Sequence, residues 1–175
     1  MIGMATLAKP LVIVLVTDKW LPCVIYLQLL CFARIWWHVH VLNLNILKAK
    51  GRSDLFFRLE IIKKIIIIIL LIVSVPFGIM AICISSIVSA VLSMCINSYY
   101  TGKLLRFGII RQMREMLPSI LYSLVMGGIV YISILFLSRM WVKLLVGTLV
   151  GMSSYILVSV VTKSQDFNYL LALVR

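Results

Sequence analysis

The sequence has few acidic residues, few charges overall and no cysteine pairs. Asp and Glu account for 5 of 175 residues, and charged residues for 13%, about half of their usual share in soluble proteins. The four cysteines lie in apolar runs without CxxC spacing, so neither a disulfide scaffold nor a zinc site is expected. The chain also lacks a phosphate-binding glycine loop, a nucleophile–base pair and paired carboxylates. We therefore expect no enzyme activity, no catalytic residue, no bound metal and no cofactor.

Apolar residues are abundant instead. They make up 63% of the chain, and the mean hydropathy is +1.17. A soluble protein of this length has too little interior to bury that much apolar surface. The composition therefore predicts an all-α fold, a polytopic bundle of about six transmembrane helices surrounded by lipid.

Six apolar runs define these spans, within a single transmembrane region over 1–175. They are residues 2–17, 21–47, 61–75, 79–97, 118–137 and 142–161, with basic loops at 48–60 and 100–117 and a tail at 162–175. The fifth span is predicted to start at Pro118, because proline is favoured at the first position of a helix. The first run would extend only about 24 Å through an apolar core of about 30 Å. It is therefore expected to be the second half of a span whose beginning is missing.

The cations are distributed unequally between the two sides of these spans. Twelve fall on the side of the two loops and the tail, and three on the other side. Cytoplasmic loops of membrane proteins are enriched in Lys and Arg, so both termini are predicted to be cytoplasmic. The net charge of +12 then needs no nucleic-acid partner, and it favours contact with anionic membrane lipids.

Polar residues within the spans are the candidates for a functional site, because they are costly at membrane depth. At about 100° per residue, one stripe of the second span carries four polar side chains, and the fourth span carries one further candidate. The candidate substrate-cavity residues are Arg34, His38, Asn45, Lys48 and Asn97. His40 and Asn43 are expected to point elsewhere. Two interpretations stay open: the stripe lines a cavity that attracts an anionic substrate, or Lys48 reaches the cytoplasmic interface while Arg34 snorkels or pairs outside the chain.

Several segments resemble a known family. They are Pro10–Trp20, Tyr26–Ala33, Asn43–Asp54, Leu59–Lys64 and Asn97–Gly102, with a basic loop before Leu117-Pro118. Across most of its length the chain resembles the C-terminal portion of Wzx-type lipopolysaccharide or O-antigen flippases, in the multidrug/oligosaccharidyl-lipid/polysaccharide exporter superfamily. The stretch Lys48-Ala-Lys-Gly-Arg-Ser-Asp54 is the most specific part.

The resemblance implies a fold and a function. It implies part of a two-lobed bundle of about 12 to 14 helices, whose N-terminal lobe would be a missing partner. It implies translocation of undecaprenyl-pyrophosphate-linked glycan across the bacterial inner (plasma) membrane for lipopolysaccharide or polysaccharide biosynthesis. Arg34 offers the cationic group, since a guanidinium matches phosphate oxygens.

Two alternatives to a flippase remain at this point. The chain could be a non-functional truncated remnant, which the DNA upstream of Met1 would reveal. It could also belong to a drug exporter of the same superfamily that works by cation antiport. Such exporters depend on carboxylates within the membrane, and none of the predicted spans contains one. Neighbouring glycosyltransferase genes would favour the flippase.

Overall fold

The computed structural model describes residues 1–105 and 108–161, and the regular structure within them is entirely helical. The helices are α1 (Ile2–Thr6), α2 (Ala8–Val16), α3 (Cys23–Ile35), α4 (Trp37–Ala49), α5 (Ser53–Ser74), α6 (Ile79–Leu105), α7 (Ile109–Leu135) and α8 (Met140–Val161). The predicted all-α class is confirmed. The predicted tail at 162–175 lies outside the described residues.

Four helical segments of the described chain are long and apolar enough to cross a membrane. They are Cys23–Ala49, Ile79–Lys103, Ile109–Leu135 and Met140–Val158. A membrane bundle therefore fits the chain, with four such segments where six spans were predicted. The two predicted spans that are not among them are the first, at 2–17, and the third, at 61–75.

The first predicted span is two short helices, α1 and α2, separated at Leu7. Pro10 explains the interruption. It has no N–H to donate to the carbonyl of Thr6, and its ring crowds that carbonyl. Helix α2 then ends at Val16, before Thr17, whose φ of 85° cannot continue a right-handed helix.

Helix α5 begins at Ser53, well before the predicted start at Ile61, so most of the predicted loop at 48–60 is helical. The early turns form because Leu59 and Lys63, four residues apart, both turn inward and are buried. Charged residues in this half keep α5 from qualifying as a simple apolar span. The helix is followed by a tight turn that ends at Gly78, where φ is 85° and only glycine fits without strain.

Pro118 does not start the fifth helix, and that prediction was wrong. Helix α7 begins at Ile109 and contains Pro118 in its interior. Residues 109–117 are mostly good helix formers, and Gln112 among them is held by hydrogen bonds to two other helices. Proline inside membrane helices is tolerated when neighbouring groups satisfy the backbone that it leaves unpaired.

The helices cluster into two compact units. Of the described residues, unit 1 contains residue 1 and residues 25–116, and unit 2 contains residues 2–24 together with residues 117–161. In unit 1, α6 packs against both α4 and α5. In unit 2, α2 packs against α8, and Leu7, Val130 and Ile134 form an apolar core.

Glycines create the close contacts within unit 2. A Cβ atom on Gly147 would lie 2.5 Å from Leu7 Cδ2, and one on Gly127 would lie 2.8 Å from Ile2 Cγ2. The N-terminal segment is thus seated in notches that these glycines leave on α7 and α8. Gly151 also serves helix packing, since a Cβ atom there would lie 3.3 Å from Val130 Cγ2.

Candidate functional site

Unit 1 encloses a cluster of polar side chains between helices that are otherwise apolar. We call it the polar cluster. It comprises His40 and Asn43 of α4, Glu60 and Lys63 of α5, Asn97, Ser98 and Thr101 of α6, and Gln112 of α7. Most of these side chains are buried, and Asn97, Ser98 and Thr101 have no exposed surface at all.

Asn43, Ser98 and Gln112 form the first part of the cluster. The Asn43 amide donates to Gln112 Oε1 at 2.9 Å, and Gln112 Nε2 donates back to Asn43 Oδ1 at 3.0 Å. The Ser98 hydroxyl donates to Gln112 Oε1 at 2.8 Å and accepts from Asn43 at 3.2 Å. This reciprocal arrangement joins α4, α6 and the first turns of α7, and it supplies each of the three side chains with hydrogen-bond partners.

His40 and Asn97 form the second part, and it is incompletely paired. Asn97 Nδ2 lies 2.8 Å from His40 Nδ1. Asn97 Oδ1 and the Thr101 hydroxyl have no hydrogen-bond partner, and both side chains are completely buried. Among the described side chains, one other buried polar atom shares this condition, Trp36 Nε1. Buried polar groups in folded proteins are nearly always hydrogen-bonded, so these two adjacent positions on α6 need an explanation.

Lys63 supplies a buried positive charge to the cluster. Its ammonium donates to the Glu60 carboxylate, one turn earlier on α5. The Lys63 side chain is 3% exposed and that of Glu60 is 29% exposed. The next residue, Lys64, is exposed, so Lys63 is the lysine that carries this charge into the cluster.

The contact between α5 and α6 places Lys63 at the level of Asn97. Ser74 donates to Ser85 Oγ at 3.2 Å, which sets the register of the two antiparallel helices. Lys63 lies eleven residues before Ser74, and Ile96 lies eleven residues after Ser85. In antiparallel helices these two positions are opposite each other, and Asn97 follows Ile96 directly. Lys63 and Glu60 also interact electrostatically with the His40 ring. The ion pair and the open polar atoms therefore belong to one region, about 16 Å along the helices from the serine contact.

The predicted site residues of the second span lie mainly on the other side of α4. Arg34, Asn45 and Lys48 are exposed in unit 1. The Arg34 guanidinium lies 4.9 Å from the centre of the Trp37 ring, and the Lys48 ammonium 4.5 Å from that of Phe56. The side chain of His38 is outside the described part of the chain. Their role in a substrate cavity stays a prediction.

The enclosed side of α4 carries the residues that were expected to point elsewhere. Val39, Asn43 and Leu47, at four-residue spacing, are buried, and His40 bonds to Asn97. At about 100° per residue these positions lie opposite the predicted stripe, whose members Arg34, Asn45 and Lys48 are exposed together. Periodicity separated the two sides of the second span but did not tell which side is enclosed.

Asn97 is the predicted candidate that the structure encloses. Gln112 was missed because it lies in the predicted basic loop 100–117, and Lys63 because it lies among charged residues at the start of the third predicted span. A signal for them exists in the sequence. Lys63 follows Leu59 at helical spacing in an amphipathic stretch, and Gln112 lies four residues before Met116 in another.

The described residues contain no group of three or more His, Cys, Asp or Glu side chains that could hold a metal ion. Comparison of the chain with protein-family models, with curated protein sequences and with solved structures yields no match.

Proposed function

We propose that this chain acts in the translocation of a lipid-linked oligosaccharide across a membrane, as the C-terminal part of a flippase. The observation that carries the proposal is the polar cluster, whose members on α4, α6 and α7 lie in helical segments long and apolar enough to cross a membrane. Its Lys63 ammonium, amides and hydroxyls are buried between α4, α5, α6 and α7. Polar and charged groups in such helices are costly, and they typically mark substrate or ion pathways.

The chemistry of the cluster fits the two parts of such a substrate. A glycan presents many hydroxyl groups, and amide and hydroxyl side chains can donate to them or accept from them. The pyrophosphate that links the glycan to its lipid is anionic, and Lys63 is a buried cation at the level of Asn97. The resemblance to Wzx-type flippases supports the same substrate class.

The distribution of cations supports an orientation. The ends of α4 and α6 and the starts of α5 and α7 carry exposed lysines and arginines, namely Lys48, Lys50, Arg52, Arg58, Lys64, Lys103, Arg111 and Arg114. We place this side in the cytoplasm, with both termini, and the membrane as the bacterial inner membrane. The polar cluster would then lie toward the cytoplasmic leaflet, where the lipid-linked substrate is assembled.

Deleting the gene in its own host tests the proposal. After the deletion, we expect lipid-linked oligosaccharide to accumulate in the inner membrane and surface polysaccharide to disappear. Re-expression of the gene, together with any coding sequence that is continuous with it, should restore export. Lys63→Met should fail to restore export at a normal membrane level of the protein. Thr148→Val is the control, because that hydroxyl is exposed and bonds only its own helix at Leu144. Surface polysaccharide that persists after the deletion would contradict the proposal.

The same assay tests the residue that the sequence pointed to first. Arg34→Ala should reduce export if its guanidinium meets the pyrophosphate from the exposed side of α3. Export at the level of the unaltered gene would remove Arg34 from the mechanism and leave Lys63 as the cation to study.

A further inference from the structure

Asn97 and Thr101 present two open hydrogen-bonding atoms that face the interior of unit 1. They are four residues apart on α6, so their side chains are neighbours on one face of the helix. Both have no exposed surface, and neither Asn97 Oδ1 nor Thr101 Oγ1 has a partner. Thr101 could have donated to a carbonyl one turn earlier, as Thr6 and Thr148 do, and it does not.

The two atoms select the kind of ligand group that would fit. Asn97 Oδ1 accepts a hydrogen bond, whereas the Thr101 hydroxyl can donate or accept. An alcohol hydroxyl can donate to Asn97 and accept from Thr101 at the same time. Rotating the Asn97 amide by 180° would direct its NH₂ group inward instead, and a hydroxyl would satisfy that arrangement as well.

Charged ligand groups fit the position less well. With Asn97 Oδ1 directed inward, an anion would meet an oxygen that repels it. A cation would meet the buried ammonium of Lys63, which lies at the same level of the helix pair. The Lys63 ammonium is paired with Glu60, and a pyrophosphate that reaches it would take the place of that carboxylate.

We propose that Asn97 and Thr101 form a binding position for a neutral hydroxyl group of a sugar, separate from the cation that would meet the pyrophosphate. The inference rests on the proposed function, because it names the part of the glycan that this region takes. Since both side chains are fully enclosed, the sugar must enter when the helices that enclose them separate.

Thermal unfolding of the purified full chain in detergent, followed by tryptophan fluorescence, tests the site. The probes are glucose, galactose, mannose, N-acetylglucosamine and glycerol. Without a probe, Thr101→Val should unfold at the same temperature as the unaltered chain or about 2–4 °C higher, because it removes an unpaired buried hydroxyl at constant shape. With the probe that binds best, the unaltered chain should gain stability, and Thr101→Val should need about tenfold more of it for the same gain.

Thr148→Val is the matched control, with the same change at an exposed threonine that already has a partner. Sugars also stabilise proteins by exclusion from their surface, and this general effect should be equal in the control, in Thr101→Val and in the unaltered chain. The difference between Thr101→Val and the control measures the site alone.

Two results would overturn the inference. One is an equal response of all three proteins to every probe. The other is a Thr101→Val chain that is less stable than the control without any probe, because an ordinary buried water would then be the partner of Thr101. Either result, combined with normal export by Thr101→Val in the gene-deletion assay, would leave the proposed function standing. Loss of the proposed function would instead appear as surface polysaccharide that persists when the gene is deleted.

Discussion

The two units of this chain hold their helices together in different ways. In unit 1, amides, hydroxyls and an ion pair occupy the interior between α4 and α7. In unit 2, the interior is the apolar set Leu7, Val130 and Ile134, and glycines let the helices approach closely. In lipid, burying an apolar side chain against another helix gains little from the hydrophobic effect. Close steric fit and hydrogen bonds are the remaining means of association, and each unit relies mainly on one of them.

The difference determines which kind of substitution destabilises each unit. A close steric fit is disturbed when a substitution adds volume to the contact, and it does not depend on hydrogen bonds. A polar interior is disturbed by removal of one partner, because the remaining group stays buried without compensation. Substitutions that act on only one of these properties can therefore separate the two units.

Glu60→Gln should produce the largest loss of stability. It leaves the buried Lys63 ammonium without its carboxylate, which should lower the free energy of unfolding by about 2–4 kcal/mol. The loss should be smaller than for a fully buried ion pair, because Glu60 is 29% exposed. Urea or thermal unfolding in detergent measures it. A change below about 0.5 kcal/mol would mean that Lys63 does not depend on Glu60 and that unit 1 is not organised around this charge.

Gly147→Leu should be the strongest substitution in unit 2. The new side chain would start 2.5 Å from Leu7 Cδ2 and 3.2 Å from Ile134 Cγ2, so α1 and α2 must shift. Overpacking of this kind costs about 1–3 kcal/mol. Limited proteolysis should then cleave residues 2–16 faster.

Gly128→Leu is the matched control for that substitution, because a Cβ atom at Gly128 meets nothing within 4 Å. Equal proteolysis of the two variants would show that the N-terminal segment is not seated against Gly147, and the contrast between the units would then fail.

Asn43→Ala should cost somewhat less, about 1–2 kcal/mol, because Gln112 loses a donor and an acceptor in a buried place. In a Ser98→Ala background, replacing both partners, as Asn43→Leu with Gln112→Leu, should recover most of that loss, since the hydroxyl that bonds to both amides is then absent as well. The measurement is a double-mutant comparison of unfolding free energies. A double variant that is as unstable as the sum of its single variants would mean that the two amides do not act as a pair.

The helical, apolar character of the chain could be predicted from composition, and the placement of most helices from apolar runs. The side of α4 that is enclosed could not, because periodicity separates the two sides of a helix without telling which side the other helices cover. Helix α7 was expected to begin at Pro118 because proline is favoured at the first position of a helix. The hydrogen bonds of Gln112 to residues distant in sequence favour the longer helix instead.

The polar cluster shows why the candidate site was only partly foreseen. Asn97 was singled out because it is polar in an apolar span, which is a local property. Its neighbours Lys63 and Gln112 lie in charged stretches that have the composition of loops. Their helical spacing from Leu59 and Met116 indicates which face of each helix is apolar, but the hydrogen bonds that hold them come from residues distant in sequence.

Glu115→Gln should have the smallest effect, and it completes the comparison within unit 1. Glu115 lies 3.6 Å from Arg111, and the two side chains are 60% and 70% exposed. Water screens such a pair, so its loss should change the free energy of unfolding by at most about 0.5 kcal/mol, and less at high salt. The same chemical change is thus made in a pair whose lysine is buried, at Glu60, and in an exposed pair, at Glu115. A loss above about 1 kcal/mol at Glu115 would mean that the start of α7 is covered by something outside the described residues, such as a further part of a transporter, since exposed pairs contribute less than that.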